Sequence, residues 1–288
     1  MNAMTDPALL QPNVGVSLVD LYQQGGSLPD ISNEVYHADL SCISVSGLKQ
    51  LLRSPAHYQS YLTETRKETP ALFYGTAIHA RLLEPEIYAR TFIGAYNLDK
   101  RKKDYAEFEV MTAGLRILTR DQMTAIERIN ENVMAHASAR ALLRGGTVEQ
   151  TLIWQDEETG VWLKIRPDCL NFDFGDGICV DVKSTDDASG AEFPRSCVKY
   201  DYDLQAAVYL DGLRAVYKRD FDFAFLAVEK DGPYGVALYG APEEMLERGR
   251  RRFRQALQLL VKCRDTGSWP CYQQDGGYEI LDWPRYAK

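Results

Sequence analysis

Apolar residues recur along this chain with two different periods, and the place where the period changes divides it. Up to about residue 144 the spacing is helical. In SCISVSGLKQLLRSPAHYQSYL, Ser44 or Ser46 can cap a helix carrying Leu48, Leu51 and Leu52. Ser54-Pro55 then restarts a second helix, with serine as the cap and proline in the first turn, where its missing N–H is no loss. TPALFYGTAIHARLLEPEIY predicts a helix from about Pro70 to Glu84, stopped by Pro85. Residues 121–144 predict two more helices. Residues 1–30, ending in QQGGSLPD, predict a flexible arm, which leaves 31–288 as a single domain.

From Thr147 the period shortens to two. TVEQTLIWQ, VWLKIRPDCL and GICVDVKS are rich in β-branched and aromatic residues, and the turn signals DEETG and DFGDG separate them. This predicts a three-stranded meander. YDLQAAVYLDGLRAVY returns to helical spacing, with Asp201 or Asp203 near its start. FDFAFLAVEK and PYGVALYG predict a hairpin across Asp231-Gly232-Pro233, and APEEMLERGRRRFRQALQLLVKC a long amphipathic helix. The aromatic tail WPCYQQDGGYEILDWPRYAK is expected to pack back on the body. With no internal repeat and no low-complexity linker, the pattern predicts one α/β domain with a helical N-terminal part.

Composition narrows the class. A chain of 288 residues, 45% hydrophobic and 26% charged, can bury a core without disulfides or a structural metal. No apolar run reaches the ~18–20 residues that a membrane-spanning helix needs. The N-terminus lacks a basic segment followed by an apolar one, so a cytoplasmic location is expected. The six cysteines are scattered with no CxxC, which fits reduced, buried thiols better than a disulfide framework or a cysteine-held cluster. A net charge of −8 argues against broad coating of nucleic acid. A local basic channel beside an acidic metal site stays open. The densest basic run, Lys100, Arg101, Lys102 and Lys103, is a candidate phosphate pocket, with a solvated helix face as the blander explanation.

Three groups of residues could carry chemistry. In VDVKS, Asp181 and Lys183 share one face of a strand, while Ile178, Val180 and Val182 point the other way, into a core. A symmetric turn about Phe174-Gly175 would set Asp168, of RPDCL, opposite Asp181. Two carboxylates side by side repel unless a cation lies between them. Mg²⁺ suits such oxygens, polarises a phosphodiester and lowers the pKa of a bound water. Lys183 can then position that water or stabilise charge on the phosphate. An ordinary Asp/Lys pair on a surface hairpin explains the same triplet. His79, in Gly75-Thr76-Ala77-Ile78-His79, is either a core histidine or a neutral imidazole ligand, and Gly75 on the same face would allow close approach of another backbone. Gln205 and Tyr209 share a helix face. A structural helix accounts for them, or Gln205 orients Lys183 or a water and Tyr209 contacts DNA.

The order of these signals is more specific than any one of them: GxxxH on a helix, a strand with Asp, DxK on the next strand, QxxxY on the following helix. In that order the chain resembles the RecB-like branch of the PD-(D/E)XK nucleases. More closely, it resembles the RecE exonuclease (exonuclease VIII) family, through ISNEVYHADLSCISVSGLKQLLRSPAHY, YGTAIHARLLEP, WLKIRPDCL, VDVKSTDDAS, DLQAAVY and LDWPRYA, over roughly residues 29–288. The resemblance implies a restriction-endonuclease-like core, a central mixed sheet flanked by helices. It implies Mg²⁺, replaceable by Mn²⁺, held by His79, Asp168, Asp181 and the carbonyl of Val182, with Glu149 at an acidic position some relatives use. Lys183 would be the catalytic lysine, with Asp168 and Asp181 beside it and Gln205 and Tyr209 in support. The implied activity is 5′→3′ digestion of double-stranded DNA ends, leaving 3′ overhangs for recombination. A ring-shaped homo-oligomer and a RecT-type single-strand annealing partner would accompany it. The rivals are a structure-specific endonuclease and a non-catalytic DNA-binding recombination scaffold.

Overall fold

The computed structural model describes residues 17–21, 23–28, 31–64, 67–95, 98, 101–273 and 277–282. The helical part runs α1 (Leu18–Leu21), β1 (Gly26–Leu28), α2 (Asn33–Ala38), β2 (Ile43–Ser44), α3 (Val45–Arg53), α4 (Pro55–Thr63), α5 (Pro70–Leu83) and α6 (Pro85–Thr91). β3 (Phe92–Ala95), α7 (Lys103–Met111), β4 (Arg116–Thr119), α8 (Arg120–Ala135) and α9 (Ala137–Leu143) follow. The strand-rich part holds β5 (Thr147–Val148), β6 (Thr151–Gln155), β7 (Trp162–Ile165), β8 (Cys169–Asn171) and β9 (Ile178–Thr185). The chain closes with α10 (Phe193–Lys199), α11 (Tyr202–Tyr217), β10 (Asp222–Glu229), β11 (Val236–Gly240) and α12 (Glu243–Thr266).

Side-chain caps set the helix starts. Ser44 accepts the Gly47 amide at α3, and Ser54 accepts the His57 amide at α4, directly before Pro55. Thr69 does the same for α5, and Thr119 with Gln122 forms a full capping box at α8. Part of the expected arm is sheet: β1 pairs antiparallel with β6. Residues 1–16 lie outside the described residues.

The expected meander is divided between two sheets. β6 and β7 belong to a four-stranded sheet of order β1-β6-β7-β2, whereas β8 and β9 belong to a mixed five-stranded sheet of order β11-β10-β9-β8-β5. The chain crosses between them at Arg166-Pro167-Asp168. Pro167 has no N–H for a ladder, which suits a break in pairing there. β9 and β10 are parallel, as a crossover through α10 and α11 requires, and β10–β11 is the expected hairpin. A further pair, β3 with β4, is parallel.

The larger sheet is buried on both faces. Val180, Val182, Leu226 and Val228 pack with α5 and α8 residues such as Ile78 and Ile126. Cys179, Phe223 and Phe225 pack with α3, α11 and α12 residues such as Leu48, Val208 and Phe253. The alternation expected for β9 is therefore present, and it places Asp181 and Lys183 on the α11 face. α12 crosses α11 at Gly249, where an added Cβ would overlap the Asp203 carbonyl. The buried Asp203 carboxylate takes Arg248 at 2.6 Å and Arg252 at 3.0 Å across that contact.

The tail packs back only in part. Trp269 lies on the core, Pro270 accepts the Ala56 amide at 3.0 Å, and Tyr272 meets His57 at 5.6 Å between ring centroids. Tyr278, Ile280 and Leu281 are exposed, and residues 283–288 lie outside the described residues. Cys42, Cys169, Cys179, Cys197 and Cys263 are buried free thiols, and Cys271 is exposed. Among the described residues no helix is long and apolar enough to cross a membrane.

Candidate active site

The site opens where β8 leaves β9. Their ladder pairs Asn171 with Ile178, Leu170 with Cys179 and Cys169 with Val180, and one further step sets Asp168 beside Asp181. Asp168 does not continue the ladder. Its Oδ2 accepts the Val182 amide at 2.6 Å instead. In an extended strand the N–H and C=O of one residue point to the same edge. The Val182 carbonyl therefore also points away from β10, toward the side of Asp168.

Two neighbours complete the cluster around Asp168. His79, on α5, places Nδ1 3.5 Å from Asp168 Oδ2, with its side chain 29% exposed rather than buried like a core histidine. α5 rests on β9 at Gly75, where an added Cβ would meet Ser184 Oγ at an ordinary 3.5 Å, so no unusually close approach is needed. Glu149 lies in the two-residue link between β5 and β6, with a left-handed φ of 50°. Its amide donates to the Asp168 carbonyl at 3.2 Å. Such a φ is uncommon for a non-glycine residue and marks a site whose surroundings hold it there. Donor atoms of His79, Glu149 and Asp168 all lie within 4.8 Å of one another.

Asp181 belongs to a second, interlocked group. Its Oδ1 accepts Gln205 Nε2 at 2.7 Å, and the Lys183 ammonium sits 2.5 Å from Oδ2. That contact is an ion pair without hydrogen-bond alignment, so the fully buried Oδ2 has no hydrogen-bond partner among the described residues. Lys183 donates instead to Gln205 Oε1 at 3.0 Å and stands 4.5 Å over the Tyr202 ring. Gln205 thus uses both ends of one amide to hold an acid and a base. Asp181, expected among the metal ligands, lies outside the close triad of donors, which includes Glu149, and its carboxylate faces Lys183 and Gln205.

The charges are poised for a cation. Burial pushes the Asp168 carboxyl up to about 6, with the His79 charge opposing and Asp181 adding to the rise. Burial, then the nearby Asp168 and Glu84, push Glu149 up to about 8, against the pull of Arg166. Crowded carboxylates with raised pKa values lack counter-charge. One imidazole nitrogen and two carboxylate oxygens make a donor set that fits a divalent metal. Burial alone would depress Lys183, but Asp181 and Asp168 outweigh it and hold the ammonium above the ordinary lysine value.

Tyr209 is placed differently from its expected DNA contact. It is buried, and its hydroxyl donates to the Arg166 carbonyl at 3.1 Å, so it braces the bend that presents Asp168. Arg166, not singled out in the sequence, is buried and donates to Thr151, Asn33 and the Ile31 carbonyl at 2.6–2.9 Å. Lys164 and Arg166 in WLKIRPD are two charges on one face of a buried strand, a signal that could have found them. Both line a cleft of ≈ 240 Å³ that also reaches Lys49, Glu149, Gln205 and Tyr209. Arg101, Lys102 and Lys103 do not line it, Lys103 pairs with Glu107 at 3.2 Å, and Lys100 lies outside the described residues.

Pro167-Asp168 at the entry to β8, with Asp181-Val182-Lys183 on the adjacent β9 of a mixed sheet flanked by helices, defines the PD-(D/E)XK class. Within it, the chain belongs to the family described as PDDEXK-like domain of unknown function (DUF3799), whose model matches residues 44–280. No curated protein matches it. Among solved structures, a provisionally named exonuclease from Eubacterium rectale is similar, with 17% identity and a TM-score of 0.59, covering 88% of this chain and 96% of that one. At that identity the likeness speaks for the fold. A phage-related exonuclease from Haemophilus somnus overlaps at 12% identity and a TM-score of 0.31, covering 79% of this chain and 96% of that one, too distant in shape to bear on the fold.

Proposed function

We propose that this chain is a Mg²⁺-dependent exodeoxyribonuclease that digests double-stranded DNA from its ends, 5′→3′, leaving 3′ overhangs for recombination. The observation that carries the reading is the meeting of His79, Glu149 and Asp168, within 4.8 Å, beside the Asp181–Gln205–Lys183 group. The end specificity and polarity rest on the resemblance to RecE-type enzymes. The exonuclease name of the Eubacterium rectale protein supports action at ends and says nothing of polarity.

A divalent cation at this site would polarise the phosphodiester and acidify a water. His79, Glu149 and Asp168 would hold it, with Asp181 and the Val182 carbonyl as the further ligands that the RecE resemblance implies. The chain's own contribution is then electrostatic. Gln205 and the Tyr202 face hold the Lys183 ammonium in one place, so it meets negative charge as that charge grows on the phosphoryl oxygens. Lys183 is no ligand, because an ammonium has no lone pair. Asp168, pinned by the Val182 amide, keeps its other oxygen for the cation.

The proposed assembly is a ring-shaped homo-oligomer acting with a RecT-type annealing protein. Digestion of linear against covalently closed circular duplex, with Mg²⁺ and with EDTA, tests the reading. The expected result is loss of linear duplex only, and only with metal. Nicking of the circle would point to a structure-specific endonuclease, and binding without cleavage to a non-catalytic scaffold.

A further inference from the structure

The cleft contains a cation that the proposed chemistry does not use. Lys49, on α3, reaches across to the C-terminal end of α10, where its ammonium donates to the Tyr200 carbonyl at 2.6 Å. It also stands 5.6 Å from the centre of the Tyr202 ring, the same ring that lies under Lys183 at 4.5 Å. Two ammonium groups therefore converge on one tyrosine at the mouth of the site.

The surrounding charges leave Lys49 without a counter-ion. From β9 it faces Lys183 and Asp181, and from the start of α11 it faces Asp201, Tyr202 and Asp203. Each of those carboxylates is already engaged. Asp181 is paired with Lys183 at 2.5 Å, Asp201 with Arg252 at 2.6 Å, and Asp203 with Arg248 and Arg252. The other cations of the cleft differ. Arg166 spends its donors on Thr151, Asn33 and Ile31, and Lys164 donates to the Tyr36 and Asp39 carbonyls with the Asp39 carboxylate at 3.8 Å. Among the described residues, no carboxylate lies within ion-pair distance of Lys49. Burial and the neighbouring Lys183 bring its pKa down to about 8, as befits an ammonium that lacks an anion.

Resting on the nuclease reading, we infer that Lys49 binds a backbone phosphate of the DNA strand in the cleft, adjacent to the phosphate that meets Lys183. The missing counter-charge is a phosphodiester oxygen, and two ammoniums flanking one ring give the strand two successive points of attachment. Lys49 is a substrate-binding residue here rather than a catalytic one. The competing role is structural: a side-chain cap on the last carbonyl of α10.

Binding of a short blunt duplex oligonucleotide, measured in EDTA across a salt titration, separates the two. Lys49→Gln keeps a donor for Tyr200 but loses the charge. Its binding should weaken roughly tenfold, and the slope of log K against log salt should flatten by about 0.9, the value for one lost phosphate contact on duplex DNA. Lys49→Arg should restore the slope. Wild type should also weaken relative to Lys49→Arg as pH rises through about 8, because Lys49 loses its proton there and an arginine does not, whereas Glu149 titrates over the same range in both proteins. An unchanged slope in Lys49→Gln, or a slope in Lys49→Arg that follows Lys49→Gln, overturns the inference. If Lys49→Gln does not fold, the comparison of wild type with Lys49→Arg between pH 7 and 9.5 decides alone, and parallel curves overturn it. Cleavage of the same duplex by wild type in Mg²⁺ reports separately on the nuclease reading.

Discussion

Asp168 is fastened to β9 by its side chain: Oδ2 accepts the amide of Val182 at 2.6 Å, in the place where a ladder partner for that amide would otherwise lie. One carboxylate thus does two jobs, satisfying a strand edge and facing His79 and Glu149. The jobs can be separated. Asp168→Asn keeps an acceptor for Val182 and should fold with a melting temperature close to wild type, yet lose most metal binding by calorimetry. Asp168→Ala removes the acceptor as well and should be less stable than Asp168→Asn by ~1–3 kcal/mol, the cost of an unpaired buried donor. Equal stability of the two variants would contradict the bond's structural role.

Stability without metal should fall as pH rises. Asp168 is raised to about 6 and Glu149 to about 8, above unfolded values of ~3.9 and ~4.3. A raised carboxyl pKa favours the folded state while the group is protonated. That contribution is complete below pH ~4 and is lost as pH climbs through 6 and 8. Metal binding needs the deprotonated groups, so its affinity should grow over the same window. Melting temperatures in EDTA and in Mg²⁺, from pH 5 to 9, should therefore diverge. A constant gap between the two curves would mean that these carboxyls do not hold the ion.

Gln205 should matter through its two bonds. Gln205→Leu leaves Lys183 and Asp181 without their shared amide and should lower kcat by roughly ten- to a hundredfold, the scale of losing one supporting bond beside a charged group. Metal affinity should change less than kcat, since Gln205 bonds Asp181 through Oδ1 alone and none of the donor triad His79, Glu149 and Asp168. A fall in metal affinity with kcat intact would assign Gln205 to the wrong partner.

Much of the site's strand chemistry is legible locally. The hairpin centred on Phe174-Gly175 predicts a pairing in which Asp168 faces Asp181, and the observed Cys169–Val180 pair is the neighbouring step of that register. Alternation along β9 likewise separates Asp181 and Lys183 from Val180 and Val182. The helix caps at Ser44, Ser54 and Thr69 are equally local signals. What is not legible depends on distant parts of the chain. The transfer of the strand between sheets at Arg166-Pro167-Asp168 is set by which sheets form around it. Glu149 enters the cluster through a left-handed turn that its own residue type does not favour. Tyr209 turns inward because the Arg166 carbonyl needs a donor. Lys49 reaches the Tyr202 ring that Lys183 also approaches only through the packing of α3 near α11.

The central claim is that Lys183, held between Asp181 and Gln205, acts on a phosphodiester in the transition state. Single-turnover cleavage of linear duplex, at saturating DNA and Mg²⁺, tests it most directly on Lys183→Ala. Loss of one preorganised group of this kind lowers kcat by ~10²–10³. The account predicts a fall of that size with DNA and metal binding retained, and a comparably poor Lys183→Arg, whose charge is kept but displaced. An alanine variant that cleaves within a few-fold of wild type would contradict it.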